Sequence, residues 1–172
     1  MTKPIISNDQ AKQDKLFYVV ANLIIINVAD KTCLLLKRSA NEKVHPEKWA
    51  FPGGKLEHAD VANLLVESGN QPIDGIDNIL GKLAMREAKE ECGLDVSAED
   101  AAVTKNKVFV RPDGVPVFMT ILATTYQGGS VVLEEDAFTD YAWVTEPELE
   151  NYDCIQGVTD EARLAIEKFC KA

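Results

Sequence analysis

Histidine is scarce in this chain, which has only His45 and His58, and its four cysteines, Cys33, Cys92, Cys154 and Cys170, form no Cys-x-x-Cys pair. Zinc-ligand spacing is missing, and a chain of this length does not need a disulfide framework. Nothing singles out a catalytic Cys–His pair. Positive charge is also short: 18 Lys and Arg stand against 28 Asp and Glu, for a net charge of −10. Nucleic acid and membrane surfaces call for cationic faces, so neither is expected as a partner. No apolar run approaches membrane length, and the N-terminus carries no charged-then-apolar signal pattern. Repeats, linkers and low-complexity stretches are missing too. These features predict a single domain over residues 1–172, in a reducing cytoplasm. Such an acidic chain repels an anionic substrate in general and must draw it in locally. A bound metal ion would do that.

What the chain does have is an acidic helix. Met85-Arg86-Glu87-Ala88-Lys89-Glu90-Glu91-Cys92 ends at Gly93-Leu94. A helix turns about 100° per residue, so Glu87, Glu90 and Glu91, at i, i+3 and i+4, share one side. Ile79, Leu80, Leu83 and Ala84 lie on that same side, and Lys82 and Lys89 point away. The carboxylates thus continue the apolar stripe. Like charges on a core-facing stripe are costly unless a cation joins them. Clustered carboxylate oxygens suit a hard divalent ion, Mg²⁺ or Mn²⁺. A solubilising surface helix is the competing explanation. The upstream stretch Phe51-Pro52-Gly53-Gly54-Lys55-Leu56-Glu57 argues against it, because Pro-Gly-Gly marks a tight loop whose backbone can approach a ligand closely.

Around these two stretches the pattern alternates. Residues 1–15 read as a loose polar arm. Phe17 to Val28 reads as a buried strand, and Cys33 to Arg38 as its hairpin partner after the turn Ala29–Thr32. A polar loop, Ser39 to Lys48, leads to a short strand at Trp49–Phe51. His58 to Glu67 fits a short helix, broken at Ser68–Pro72. The acidic helix spans roughly Asn78 to Cys92 with Gly93 as its C-cap, and Gly81 within it implies either tight packing or a late start. Pro112-Asp113-Gly114 turns a second hairpin between Lys107–Arg111 and Val115–Tyr126. Asp140–Val144 reads as a last strand, and Thr145 with Glu148 as a capping box. Val158, Ala162, Ala165, Ile166 and Phe169 mark an amphipathic closing helix. The order predicts an α/β (α+β) layer fold, a mixed sheet sandwiched between helices.

These residues resemble the Nudix hydrolase signature: Gly, five residues, Glu, seven residues, Arg-Glu, an aliphatic, one residue, Glu-Glu, one residue, Gly, an aliphatic. Arg86 to Leu94 matches the second half, with Ala88 in the aliphatic place, and Phe51 to Glu57 resembles the lead-in to the first. Leu34–Arg38, Trp49 and Asp140–Val144 also resemble the family's framework, so the likeness covers most of the chain. The match departs in one place. Thirty-one residues separate Gly54 from Arg86, against thirteen in the signature, so an insertion at residues 60–77 splits the box. Counted forward from Gly54, the first signature Glu falls on Asp60; counted back from Arg86, it falls on Asn78. Asp60 can serve that position with a shorter reach, whereas Asn78 can only cap or hydrogen-bond.

The resemblance implies a Mg²⁺- or Mn²⁺-dependent pyrophosphohydrolase that cleaves a nucleoside diphosphate linked to another group. The substrate class spans nucleoside triphosphates, ADP-ribose-like compounds and dinucleotides. Metal ions would clamp the phosphoryl oxygens and lower the pKa of a bound water. The metal ligands implied are Glu87, Glu90, Glu91 and the Gly54 carbonyl. Arg86, Glu87, Glu90 and Glu91 form the catalytic set, with Arg86 pairing to Glu90. The base is Glu90 itself or one of Glu134, Glu135 and Asp136, and Asp140 supports the framework. Arg38 and Lys55 are assigned to the substrate phosphates. Phe51 is assigned to stacking on a base, with Phe109 and Phe118 as alternatives and core packing as the competing role. Glu57 can meet the metal through water, and His45 and His58 read as surface residues. The rival reading is a nucleotide-binding sensor that kept the fold and lost turnover; an interaction module that binds no metal is a third. The small-molecule nucleotide is the partner expected, with a homodimer the one assembly allowed for.

Overall fold

The computed structural model describes residues 17–60 and 76–170. Among them a seven-stranded mixed sheet separates two helices. Strand β1 (Tyr18–Asn27) is its centre. The apolar run predicted there is buried on both faces because odd and even residues enter different cores. Ala21, Leu23 and Ile25 lie on one face with helix α1 (Ile79–Cys92), and Ile24 and Ile26 on the other with helix α2 (Val158–Cys170). Period-two side-chain alternation demands this division. A strand covered on both faces reads as a continuous apolar run rather than an alternating one.

The predicted hairpin forms between β1 and β2 (Thr32–Arg38), but the two strands pair only at its closed end, Ile26 with Cys33 and Asn27 with Thr32. Beyond that point β1 takes β4 (Gly53–Lys55) as its antiparallel neighbour, with Ala21 opposite Gly54 and Asn22 opposite Gly53. The Gly-Gly stretch expected to be a loop is therefore a short strand. On its other side β1 runs parallel to β6 (Pro116–Thr125), and β6 pairs antiparallel with the edge strand β5 (Ala102–Val110). The Pro112-Asp113-Gly114 turn joins these two, with Gly114 at φ 82°. Strand β3 (Trp49–Ala50) and strand β7 (Phe138–Thr145) both pair with β2. The capping box heads a 3-10 helix, Glu146–Asn151, where the Glu148 carboxylate accepts the Thr145 N–H at 3.0 Å and its hydroxyl at 2.6 Å.

Helix α1 ends where the sequence placed its end. Gly93 adopts φ 72° and donates to the Lys89 carbonyl. Gly81 marks tight packing: a Cβ there would lie 2.7 Å from the Ala98 carbonyl oxygen. The last carbonyls of the helix are not left to solvent. The segment after β6 crosses them, and the N–H groups of Val132 and Glu134 donate to Cys92 and Glu91 at 3.0 and 3.1 Å. The arm at 1–15 and the greater part of the 60–77 insertion lie outside the described residues, as does most of the helix expected at His58–Glu67.

Candidate active site

The site is the contact between α1 and β4. Leu83, Ala84 and Ala88 bury the inner stripe of α1 against β1, and Glu87 is carried inward with them until it is only 8 % exposed. Its carboxylate stands against Gly54, where a Cβ would meet Oε1 at 2.0 Å. Only a residue without a side chain fits beneath that carboxylate. One turn further on, Glu91 accepts the Gly53 N–H at 2.7 Å. Gly53 is constrained from below, because a Cβ on it would sit 2.4 Å from the Ala21 carbonyl oxygen. The two glycines thus serve two adjacent carboxylates, one by leaving space and one by donating a hydrogen bond. The sequence showed that backbone would come close here. It did not show that Gly53 donates.

Glu90 behaves differently. It is exposed and pairs with Arg86. The inward cluster is therefore Glu87 and Glu91, with Glu90 at its outer margin. Arg86 is the hub. Its Nη2 lies 2.6 Å from Glu87 Oε1 and its Nε 2.6 Å from Asp60 Oδ1. Asp60 also accepts the Glu57 N–H at 2.8 Å, which ties the stretch after β4 to the helix. Asn78 is remote from this hub: it sits at the helix start with φ 51°, and its amide donates to the Ala98 carbonyl at 2.8 Å. Of the two placements open for the first signature Glu, the fold brings Asp60 to Arg86.

Burial raises the Glu87 carboxyl above its ordinary range, and the Arg86 charge only partly offsets it. Burial raises Glu91 well above that range; the Gly53 hydrogen bond works against the shift, while the charges of Glu87 and Glu134 add to it. For Arg86 desolvation acts downward, but Glu87, Asp60 and Glu90 outweigh it and raise the guanidinium further. Arg86 thus faces three carboxylates, those of Asp60, Glu87 and Glu90, while the charge of Arg38 acts on Glu91. Among the described residues no three acidic, histidine or cysteine side chains are gathered closely enough to grip an ion as they stand. The donor set nevertheless fits a hard divalent cation: all its atoms are oxygens, two of its carboxylates are desolvated, and the negative charge is in excess.

The remaining candidates divide. Arg38 lies near enough for its charge to favour ionised Glu91, though its own partners are Glu42 and, at 3.2 Å, the Val44 carbonyl. Lys55 follows Gly54 and so points to the opposite face of the sheet, where its Nζ lies 5.6 Å from the Tyr18 ring centroid. Phe51 is corrected outright: it is 3 % exposed in the core against α2, so it is packing and cannot stack on a ligand beside Glu87. Glu134 is exposed but electrostatically coupled to Glu91, whereas Glu135 and Asp136 show no contact with the cluster. All four cysteines are free, and burial pushes the Cys33 thiol up to about 12 and Cys92 to about 11, too high for thiolate nucleophiles.

This architecture is that of the Nudix hydrolases. A MutT protein from Methanosarcina mazei superposes with a TM-score of 0.66 at 19 % identity, over 94 % of this chain and 100 % of that one. A Nudix hydrolase from Alicyclobacillus acidocaldarius gives 0.66 at 14 % identity, over 92 % and 93 %. A bifunctional NMN adenylyltransferase/ADP-ribose pyrophosphatase from Francisella tularensis, solved with AMP and a manganese ion, gives 0.61 at 18 % identity, over 92 % of this chain and 43 % of that one. In sequence, the chain is 28 % identical over 124 residues to the nucleoside triphosphatase NudI of Klebsiella pneumoniae, covering 70 % of this chain and 77 % of that protein. No protein-family model matches. No helix among the described residues is long and apolar enough to cross a membrane.

Proposed function

We propose that the chain is a Mg²⁺- or Mn²⁺-dependent pyrophosphohydrolase acting on a nucleoside diphosphate linked to another group. The observation that carries this reading is the pair of desolvated carboxylates, Glu87 and Glu91, held against Gly54 and Gly53, with Arg86 paired to Glu87. The fold shared with Nudix hydrolases and the likeness to a nucleoside triphosphatase support it. Glu87, Glu91 and Glu90 would hold the ion, with the Gly54 carbonyl as a backbone ligand. When bound, a divalent ion supplies positive charge for phosphoryl oxygens and acidifies a water molecule. The chain's own residues do the rest. The Gly53 N–H fixes Glu91, Arg86 fixes Glu87 and Glu90, and Asp60 braces Arg86. Glu90 or Glu134 would take a proton from attacking water. The four free thiols fit a reducing cytoplasm.

The sensor reading has one observation in its favour: the acidic residue that reaches Arg86 from the β4 side is an Asp, not the Glu of the signature. One assay separates the two readings. Product formation is measured with Mg²⁺ or Mn²⁺, as phosphate or pyrophosphate released from nucleoside triphosphates and as mononucleotide released from ADP-ribose and dinucleotides, comparing the wild type with Glu90→Gln and Glu91→Gln. Ion-dependent turnover that falls in the variants supports the enzyme. Tight nucleotide binding without turnover establishes the sensor.

A further inference from the structure

The strand register places a polar pair on the same side of the sheet as Glu87. Gly54, beneath that carboxylate, pairs with Ala21; Ala21 pairs with Thr120; Thr120 pairs with Asn106. Residues directly opposite one another share a face. Asn106 therefore lies on the α1 face, three strand spacings or about 14 Å from Gly54. A nucleoside diphosphate spans such a gap between its base edge and its terminal phosphate. Thr120 is 1 % exposed, and its hydroxyl donates to Asn106 Oδ1 at 2.8 Å. That bond takes one lone pair of the amide oxygen and turns the oxygen toward Thr120. The Asn106 Nδ2 hydrogens donate to no described residue and stand at an exposed position on the edge strand.

The next row on this face is apolar. Phe118 precedes Thr120 by two residues, pairs with Val108 on one side and Val19 on the other, and is 36 % exposed, with Val108 at 41 %. An exposed aromatic ring beside an oriented amide donor, in line with the carboxylates, has the composition of a base-binding surface: apolar area for the ring plane and one polar group for its edge.

The geometry points to Asn106 as a specificity residue, oriented by Thr120, that donates through Nδ2 to a carbonyl oxygen of the substrate's nucleobase, so that keto bases are preferred over amino bases. This rests on the hydrolase reading above and adds the class of base. A donor facing an exocyclic amino group leaves both groups unpaired, and such mismatches discriminate more strongly than a change of apolar contact.

The test uses isosteric pairs with Mg²⁺: inosine against adenosine triphosphate, and uridine against cytidine triphosphate. The keto member is expected to show a kcat/KM about tenfold or more above its partner. Asn106→Asp replaces the donor with an acceptor and is expected to reverse the order. Thr120→Val removes the orienting hydroxyl and is expected to shrink the ratio, with thermal unfolding confirming that the variant is folded. Calorimetric binding of inosine and adenosine monophosphates, measured without turnover, separates the two levels of the argument. Keto-selective binding that depends on Asn106, with no hydrolysis, keeps the base assignment and overturns the hydrolase. Hydrolysis with equal kcat/KM across both pairs, or a keto preference that Asn106→Asp leaves unmoved, overturns the base assignment and keeps the hydrolase.

Discussion

The carboxylate of Glu87 fills the space that a side chain at Gly54 would need: a Cβ there would lie 2.0 Å from Oε1 and 2.2 Å from Cδ. Gly54→Ala must therefore move the carboxylate itself. A displacement near 1 Å costs roughly 100-fold in rate at a site that depends on positioning. We expect kcat/KM to fall by about that factor with thermal stability only modestly reduced, as steady-state kinetics and a melting curve will show.

Gly53 makes the opposite case. A Cβ would meet the Asn22 side-chain oxygen at 2.5 Å, which can move, but also two backbone atoms, the Ala21 carbonyl oxygen at 2.4 Å and Asn22 Cα at 2.7 Å. Strand β1 cannot yield as a side chain can. Gly53→Ala is expected to destabilise the fold by about 1–3 kcal/mol, read as a lower Tm, in addition to disturbing Glu91.

The raised carboxyls of Glu87 and Glu91 set a pH dependence. A carboxyl whose folded pKa lies above its unfolded value binds its proton more tightly in the folded state, so it destabilises the fold increasingly as pH rises above the unfolded value. Its contribution is most favourable below the ordinary value of 4.5 and is lost as pH rises from there through the folded pKa. The ion-free protein should therefore melt at a higher temperature near pH 5 than near pH 8. Each tenfold tightening of proton binding in the folded state corresponds to about 1.4 kcal/mol. Excess Mn²⁺ should flatten or reverse that slope, and the double variant Glu87→Gln/Glu91→Gln should lose it. Differential scanning calorimetry across pH checks all three.

Asp60 and Asn78 are the two residues to which counting along the resembled signature leads, and they make different contacts, Asp60 with Arg86 and Asn78 with the Ala98 carbonyl. Asp60→Ala removes a brace from Arg86 and is expected to lower kcat/KM about tenfold, equivalent to roughly 1.4 kcal/mol. Asn78→Ala removes the bond to Ala98 and a residue suited to φ 51°, and is expected to cost about 1 kcal/mol of stability with kcat/KM retained. The reverse pattern would mean that the box is read back from Arg86 instead of forward from Gly54.

The sequence by itself determined the helix of Glu87, Glu90 and Glu91, its stop at Gly93, the central apolar strand, the Pro-Asp-Gly hairpin and the mixed sheet between helices. Each of these is a local matter: side-chain period, turn chemistry and capping act within a few residues, so a linear string carries them. Tertiary structure decided what those elements meet. It turned the Gly-Gly stretch into a strand beside β1, sent Phe51 and Lys55 to the face away from Glu87, and brought Asp60 to Arg86 while Asn78 went to Ala98. It also set Thr120 against Asn106 in line with Gly54. Strand register and helix docking fix these pairings, and both are settled by burying the two cores at once. No window of neighbouring residues contains that information.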